Sequence, residues 1–182
     1  MKRVFCLVML LSMILVMACN SSRMNGNTEG KYIEQRIRKF RKNPSDENLR
    51  REIEELYVVA VNQHEARLKA IQSTYDFSRF DRLISEYNEM QRVSDLIRLS
   101  PAGSFINTKN YFSEIESVKV TAAEYLYDEA LKSMTLNDRT QLKNAWRNFN
   151  RISKYVSSFR DADIKIKEVF DRATLEIVVK PV

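Results

Sequence analysis

Few side chains in this sequence are of types that do chemistry, and the spacing of most of them argues against it. His64 is the single histidine. One imidazole cannot build a histidine-rich metal site, and no Gly-x-Ser-x-Gly elbow supplies a serine nucleophile for it to serve. It sits four residues from Ala60 and four from Leu68, on what reads as the apolar face of a helix. That place suits a structural, hydrogen-bonded histidine. The acids cluster as Glu52, Glu54 and Glu55, as Glu114 and Glu116, and as Asp161 and Asp163. Paired carboxylates equip glycosidases, but at these spacings they read as solvated helix surface. Asp161 and Asp163 read as acids at a helix N-terminus, favoured there by capping and the dipole. No glycine-rich phosphate loop is present. The expectation is therefore no catalytic residue, no metal and no cofactor.

Cys19 is the exception. Lys2 and Arg3 begin the chain, and residues 4–16 are apolar apart from Ser12. This is the layout of a signal peptide, too short for a spanning helix of about 20 apolar residues. Val16-Met17-Ala18-Cys19 closes it and resembles the bacterial lipobox, with Met17 the less usual residue. The resemblance implies export, cleavage before Cys19 and diacylglycerol on its sulfur. A thiolate is a good nucleophile for that transfer, and several acyl chains anchor firmly where one binds marginally. A plain signal peptide with a chance cysteine, or an uncut anchor, is the alternative. Asn20 is not the aspartate associated with inner-membrane retention, so the expected location is the outer membrane, facing the periplasm. The only other cysteine is Cys6, which leaves with the signal peptide. The mature chain then has no disulfide, and its stability must come from a packed core.

The charge is uneven. The whole chain carries +6. Residues 31–51 hold eight basic residues against three acids, a net +5. Arg36, Arg38, Lys39, Arg41 and Lys42 are the candidates for contact with anionic head groups, which attract within about a Debye length. A solvated helix face is the other reading. Nucleic acid is not an expected partner for an exported chain.

The elements that must position these residues are helices. Only three glycines and three prolines occur, too few for the turns of sandwiches and barrels. Residues 19–30, rich in Asn, Ser and Gly, read as a lipidated flexible tether reaching roughly 35 Å when stretched. Tyr32, Ile33, Ile37 and Phe40 stripe a helix near 31–42. Asn43-Pro44-Ser45 stops it, and Ser45 or Asp46 caps the next helix, which runs to about Ser73. Its stripe is Leu49, Ile53, Leu56, Ala60, His64, Leu68 and Ile71. A third helix starts at Asp76-Phe77-Ser78, turns Phe80, Leu83, Ile84, Tyr87, Met90 and Ile97 inward, and ends before the breaker Ser100-Pro101-Ala102-Gly103. The fourth spans 109–134, with Ile115, Val118, Ala122, Tyr125, Leu126 and Ala130 inside. The fifth spans 138–157, with Leu142, Ala145, Trp146, Phe149, Ile152 and Val156. The sixth spans 161–173, with Ala162, Ile166, Val169, Phe170 and Ala173. Residues 174–180 are β-branched enough for a strand, whose open edges must dock, pair with a partner chain or begin something further.

An internal repeat links the third and fifth helices. Leu83, Ile84, Tyr87, Met90 and Ile97 align with Ala145, Trp146, Phe149, Ile152 and Phe159. Small or aliphatic, then aromatic, then aliphatic residues at this spacing resemble tetratricopeptide-type hairpins, although the unit is long. An antiparallel bundle shows a similar stripe. The fold class expected is all-α, built of antiparallel helical hairpins as a tetratricopeptide-like array or bundle over 31–173, with a short C-terminal β-strand in 174–182.

The placing of His64, Tyr87, Ser100-Pro101-Ala102, Phe149, Asp161, Ala173-Thr174 and Pro181 resembles a group of Bacteroidota lipoproteins with tetratricopeptide-like repeats. Phe159-Arg160-Asp161 departs from the tyrosine and basic residue usual before that aspartate. Similar chains continue past the strand, which on this comparison makes the present one a short member. The resemblance implies architecture and location, and no catalytic residue.

These readings converge on a membrane-anchored helical lipoprotein that acts as a non-enzymatic scaffold or adaptor for a protein or envelope partner. The alternative is a small-molecule or glycan binder with an aromatic groove. Tyr32, Tyr75, Tyr111, Tyr127 and Tyr155 are the candidates to line it.

Overall fold

The computed structural model describes residues 28–136 and 138–174. Cys19, the signal segment, the tether up to residue 27 and the expected strand from residue 175 onward lie outside the described residues. Those described form six α-helices: α1 (Thr28–Phe40), α2 (Glu47–Gln72), α3 (Arg79–Arg98), α4 (Phe112–Thr135), α5 (Arg139–Ile152) and α6 (Ala162–Ala173). A single 3-10 turn, Pro101–Ser104, follows α3. The chain is all-α over these residues, as the periodicity predicts. None of these helices is long and apolar enough to cross a membrane.

Local signals account for most boundaries. Asp46 settles the choice of cap for α2: its Oδ1 accepts from the backbone N–H of Asn48 and Leu49 at 3.0 and 3.1 Å. Asp138 caps α5 in the same way, through Thr140 and Gln141. Such a carboxylate satisfies donors that the first turn leaves open. After α3, the Ser100 hydroxyl accepts from Ala102 N–H at 3.1 Å and shapes the 3-10 turn. Gly103 is required there by contact, since a Cβ at that position would lie 2.7 Å from the Arg98 carbonyl oxygen.

Two boundaries differ from expectation. Helix α1 begins at Thr28, so residues 28–30 of the expected tether are helical. Glu29 lies in the first turn and is buried, on the end of the helix that the dipole makes favourable for an acid. Helix α5 stops at Ile152 instead of running to 157. A tight turn follows, with Tyr155 N–H bonded to Ile152 O at 2.9 Å. The chain then takes left-handed φ angles at Ser158 (55°) and Arg160 (50°). Neither is glycine, so no residue type announces the reversal.

The described residues divide into two compact units. The first comprises residues 28–64 and 93–108. Its core joins Ile33, Ile37 and Phe40 of α1 to Ile53 and Ala60 of α2, Val93 and Ile97 of α3, and Ala102 and Ile106. Phe40 meets Phe105 edge-on at 5.6 Å, a favoured aromatic geometry. The Arg50 guanidinium covers Phe105 at 4.5 Å.

The second unit comprises residues 65–92 and 109–174. A short connection joins α4 to α5, which pack as an antiparallel hairpin, and α6 packs on α5. Its larger core holds Phe80, Leu126, Leu142, Ala145, Phe149, Ile152 and Val169. A smaller cluster holds Leu68, Leu83, Met90 and Tyr111. Tyr32, Tyr125, Trp146 and Phe170, expected to point inward, are exposed. Each neighbours the buried stripe on its own helix but falls at the stripe's edge. Val93, Ala123 and Met134 are buried beyond those predicted. The repeat is kept in burial at the Leu83/Ala145 and Met90/Ile152 pairs and broken at Ile84/Trp146, where Trp146 is exposed. It fails at its last pair, because Ile97 is inside α3 whereas Phe159 lies beyond the end of α5.

Candidate functional site

The chemically capable residues are mostly occupied with structure. His64 is 2% exposed on α2. Glu52 pairs with Arg36 at 2.5 Å and Glu54 with Arg50 at 3.5 Å. Lys109 holds Glu114 at 2.5 Å, and that hydrogen bond keeps the carboxyl below its usual range. Glu116 pairs with Lys119. Among the described residues no group of three or more His, Cys, Asp or Glu side chains is placed to hold a metal ion. Asp161 stands at the N-terminus of α6 without capping it through its side chain. Its carboxylate accepts instead from the Tyr127 hydroxyl, and this bond raises the tyrosine pKa.

The five candidate groove tyrosines do not share one role. Tyr127 and Tyr155 are core residues whose hydroxyls reach Asp161 and Asp81. Tyr127 packs edge-on to Phe149 at 5.6 Å. They are therefore corrected from groove lining to core: each buried ring has one polar atom, and each finds a carboxylate partner. Tyr111 is buried but borders a cleft of about 350 Å³ with Tyr87, Met90 and Lys109. Tyr75 is 93% exposed in the connection after α2, and Tyr32 is exposed on α1. The aromatic groove expected for a small molecule or glycan thus loses Tyr127 and Tyr155 to the larger core, and Tyr111 belongs to the smaller cluster.

The basic residues of α1 divide as well. Arg36 is held by Glu52, and Arg38 by Glu34 at 2.5 Å. Lys39, Arg41 and Lys42 are exposed and have no ion pair among the described residues. They gather at the C-terminal end of α1, where the helix dipole itself favours cations.

A different cleft stands out. Arg139, Lys143 and Trp146 of α5 face Phe170 and Ala173 of α6 and the adjoining Thr174 across a cavity of about 330 Å³. Trp146 is 39% exposed and Phe170 57%. Their neighbours Ala145 and Val169 are fully buried, so the helix packing brings the two rings to the mouth of the seam. Helix α5 carries Arg139, Lys143, Arg147 and Arg151 at four-residue steps and has no acid. Arg151 stacks over Phe77 at 4.4 Å. Arg139 and Lys143 are exposed and without an ion pair among the described residues. On α6, Glu168 is engaged by Lys165 at 2.7 Å and by Arg172 at 3.5 Å. The cleft therefore joins an apolar lining to a cationic edge. Periodicity placed Trp146 and Phe170 in the core and missed it. The signal in the sequence was the acid-free run of cations on α5.

Compared with protein-family models, with curated proteins and with solved structures, the chain matches none.

Proposed function

We propose that this chain is a lipid-anchored, non-enzymatic adaptor, held to a membrane through Cys19 and engaging a protein partner through the seam between α5 and α6. The pairing of Trp146 and Phe170 in one cleft carries the reading. Exposed aromatics beside arginine or lysine are the composition of interaction hot spots. A cleft of about 330 Å³ lies at the small end of ligand pockets, sized for a side chain more than for a whole ligand. The signal layout of residues 1–19 supports the anchor, and a helical hairpin supplies a rigid surface on which to display the seam. The outer membrane, facing the periplasm, is the place this reading assigns to it.

Site-specific photocrosslinking in intact membranes tests the adaptor. A photoreactive residue replacing Lys143 should give a discrete protein adduct. The same residue at Glu116, exposed on α4 and not part of the cleft lining, should not. Adducts to lipid alone, or identical patterns from both positions, overturn the proposal.

A further inference from the structure

Resting on the adaptor reading, we infer that the α5/α6 seam takes an acidic peptide segment, which inserts one apolar side chain between Trp146 and Phe170 while its carboxylates meet Arg139 and Lys143. Three observations point this way. The lining is mostly apolar, with Trp146, Phe170 and Ala173 among its residues. Among the described residues, the two charged side chains that line it are cations, and neither has an ion pair. The acids of α6 do not neutralise them: Glu168 is held by Lys165 and Arg172, while Asp163 and Asp171 do not line the cleft.

The geometry favours a peptide over a membrane surface. Insertion at a lipid interface needs an apolar face that protrudes, whereas Trp146 and Phe170 border a concavity. Carboxylates suit the edge because Arg and Lys gain charge-assisted hydrogen bonds from them. Such contacts at a wet rim steer encounter and set specificity, while the inserted side chain supplies the apolar burial.

Trp146 is the only tryptophan in the chain, so its fluorescence reports directly on the cleft. The probe is a short synthetic peptide in which glutamates flank a single leucine, titrated into the full chain in detergent. The emission should shift to the blue and saturate, and affinity should fall as ionic strength rises through about 0.15 M. Peptides with lysine for glutamate, or glycine for leucine, should leave it unchanged. The double substitution R139E/K143E should weaken binding about tenfold or more with an unaltered thermal melt, since both side chains are exposed. Equal shifts with the lysine peptide, or full binding by the double variant, overturn the inference. So does a shift seen only with phosphatidylglycerol vesicles, which would make the seam a membrane contact. A shift that follows protein concentration without peptide would instead make it a self-association surface. A protein adduct in membranes with silent peptides sinks the acidic-peptide chemistry alone. Peptide binding with no protein adduct sinks the adaptor reading and leaves the chemistry of the cleft standing.

Discussion

The Tyr155 hydroxyl donates to Asp81 Oδ1 at 2.8 Å, joining residues 74 positions apart in the chain. Lys154 grips the same carboxylate at 2.8 and 2.9 Å. Three groups thus tie the exit of α5 to the first turn of α3. Hydrogen bonding from Lys154 holds Asp81 below its ordinary value of 3.8. Burial, then the bond to Asp81, raises Tyr155 above 10.0. A lowered carboxyl contributes stability above its unfolded pKa, and loses it as pH falls through the folded one. A raised tyrosine contributes below its unfolded pKa and loses it as pH climbs through the folded one. Tyr155→Phe should therefore cost about 1–2 kcal/mol near neutrality. The difference from wild type should shrink on the acid side below 3.8 and on the alkaline side above 10.0. Lys154→Ala, at a largely exposed site, should cost less than about 1 kcal/mol. Urea unfolding across pH measures both, and a pH-independent difference for Tyr155→Phe would show the bond to be irrelevant.

Phe149 and Trp146 stand three residues apart on α5 and both fit its apolar stripe, yet they differ in burial. Phe149 is 1% exposed within the larger core. Its replacement by alanine should cost about 3–5 kcal/mol. Trp146→Ala removes a ring that is already partly in water, so about 1–2 kcal/mol is expected. Chemical denaturation of the two variants decides. Equal costs would return Trp146 to the core and remove the lining of the seam.

That pair also shows where sequence reasoning stops. Ile33, Ile37, Phe40, Ile53, Ala60 and Leu126 were legible because each lies at the centre of an apolar stripe, where any packing partner buries it. Trp146, Phe170 and Tyr125 lie at stripe edges, where exposure depends on how closely the next helix approaches. Period alone carries no such information. The helix starts at Asp46 and the stop at Ser100-Pro101 were legible because capping and breaker chemistry are local. The end of α5 was not, since Ser158 and Arg160 adopt left-handed backbone without glycine. The seam stayed hidden because its two walls come from different helices.

Gly103 should tolerate no side chain. Its φ is not left-handed, so the objection is contact alone. An added Cβ would sit 2.7 Å from the Arg98 carbonyl oxygen and 3.1 Å from the carbonyl carbon. The obstacle is backbone and cannot rotate away, and the 3-10 turn would have to move with it. Gly103→Ala should cost about 1–3 kcal/mol, read as a lowered urea midpoint. An unchanged midpoint would mean that the turn opens freely.

Cys19→Ala should abolish incorporation of labelled fatty acid and move the protein from the membrane fraction to the soluble one. On the proposed reading that one thiol carries the attachment. Unchanged fractionation with lost label would show a second means of attachment. For that case Lys39, Arg41 and Lys42 offer exposed cations, and washing at high salt would release the protein.

Ser158 and Arg160 share left-handed φ but should respond oppositely to glycine. A left-handed L-residue carries roughly 1–2 kcal/mol of steric cost, which glycine removes while adding freedom to the unfolded chain. Ser158 is exposed, so little else is lost. Ser158→Gly should stabilise by about 0.5–1 kcal/mol, and Ser158→Val should destabilise, because branching at Cβ aggravates the clash. Arg160 has more to lose. Its guanidinium lies 5.0 Å from the ring centroids of both Tyr127 and Phe159 and 3.5 Å from Glu124. Each cation–π contact is worth about 0.5–1 kcal/mol at an exposed site. Together they match or exceed the strain that glycine would relieve, so Arg160→Gly should be neutral or destabilising by up to about 1 kcal/mol. Thermal melts of the three variants give the signs. A stabilising Arg160→Gly would show that the stacking contributes nothing, and that the turn after α5 is held by Tyr155 and its bond to Asp81 instead.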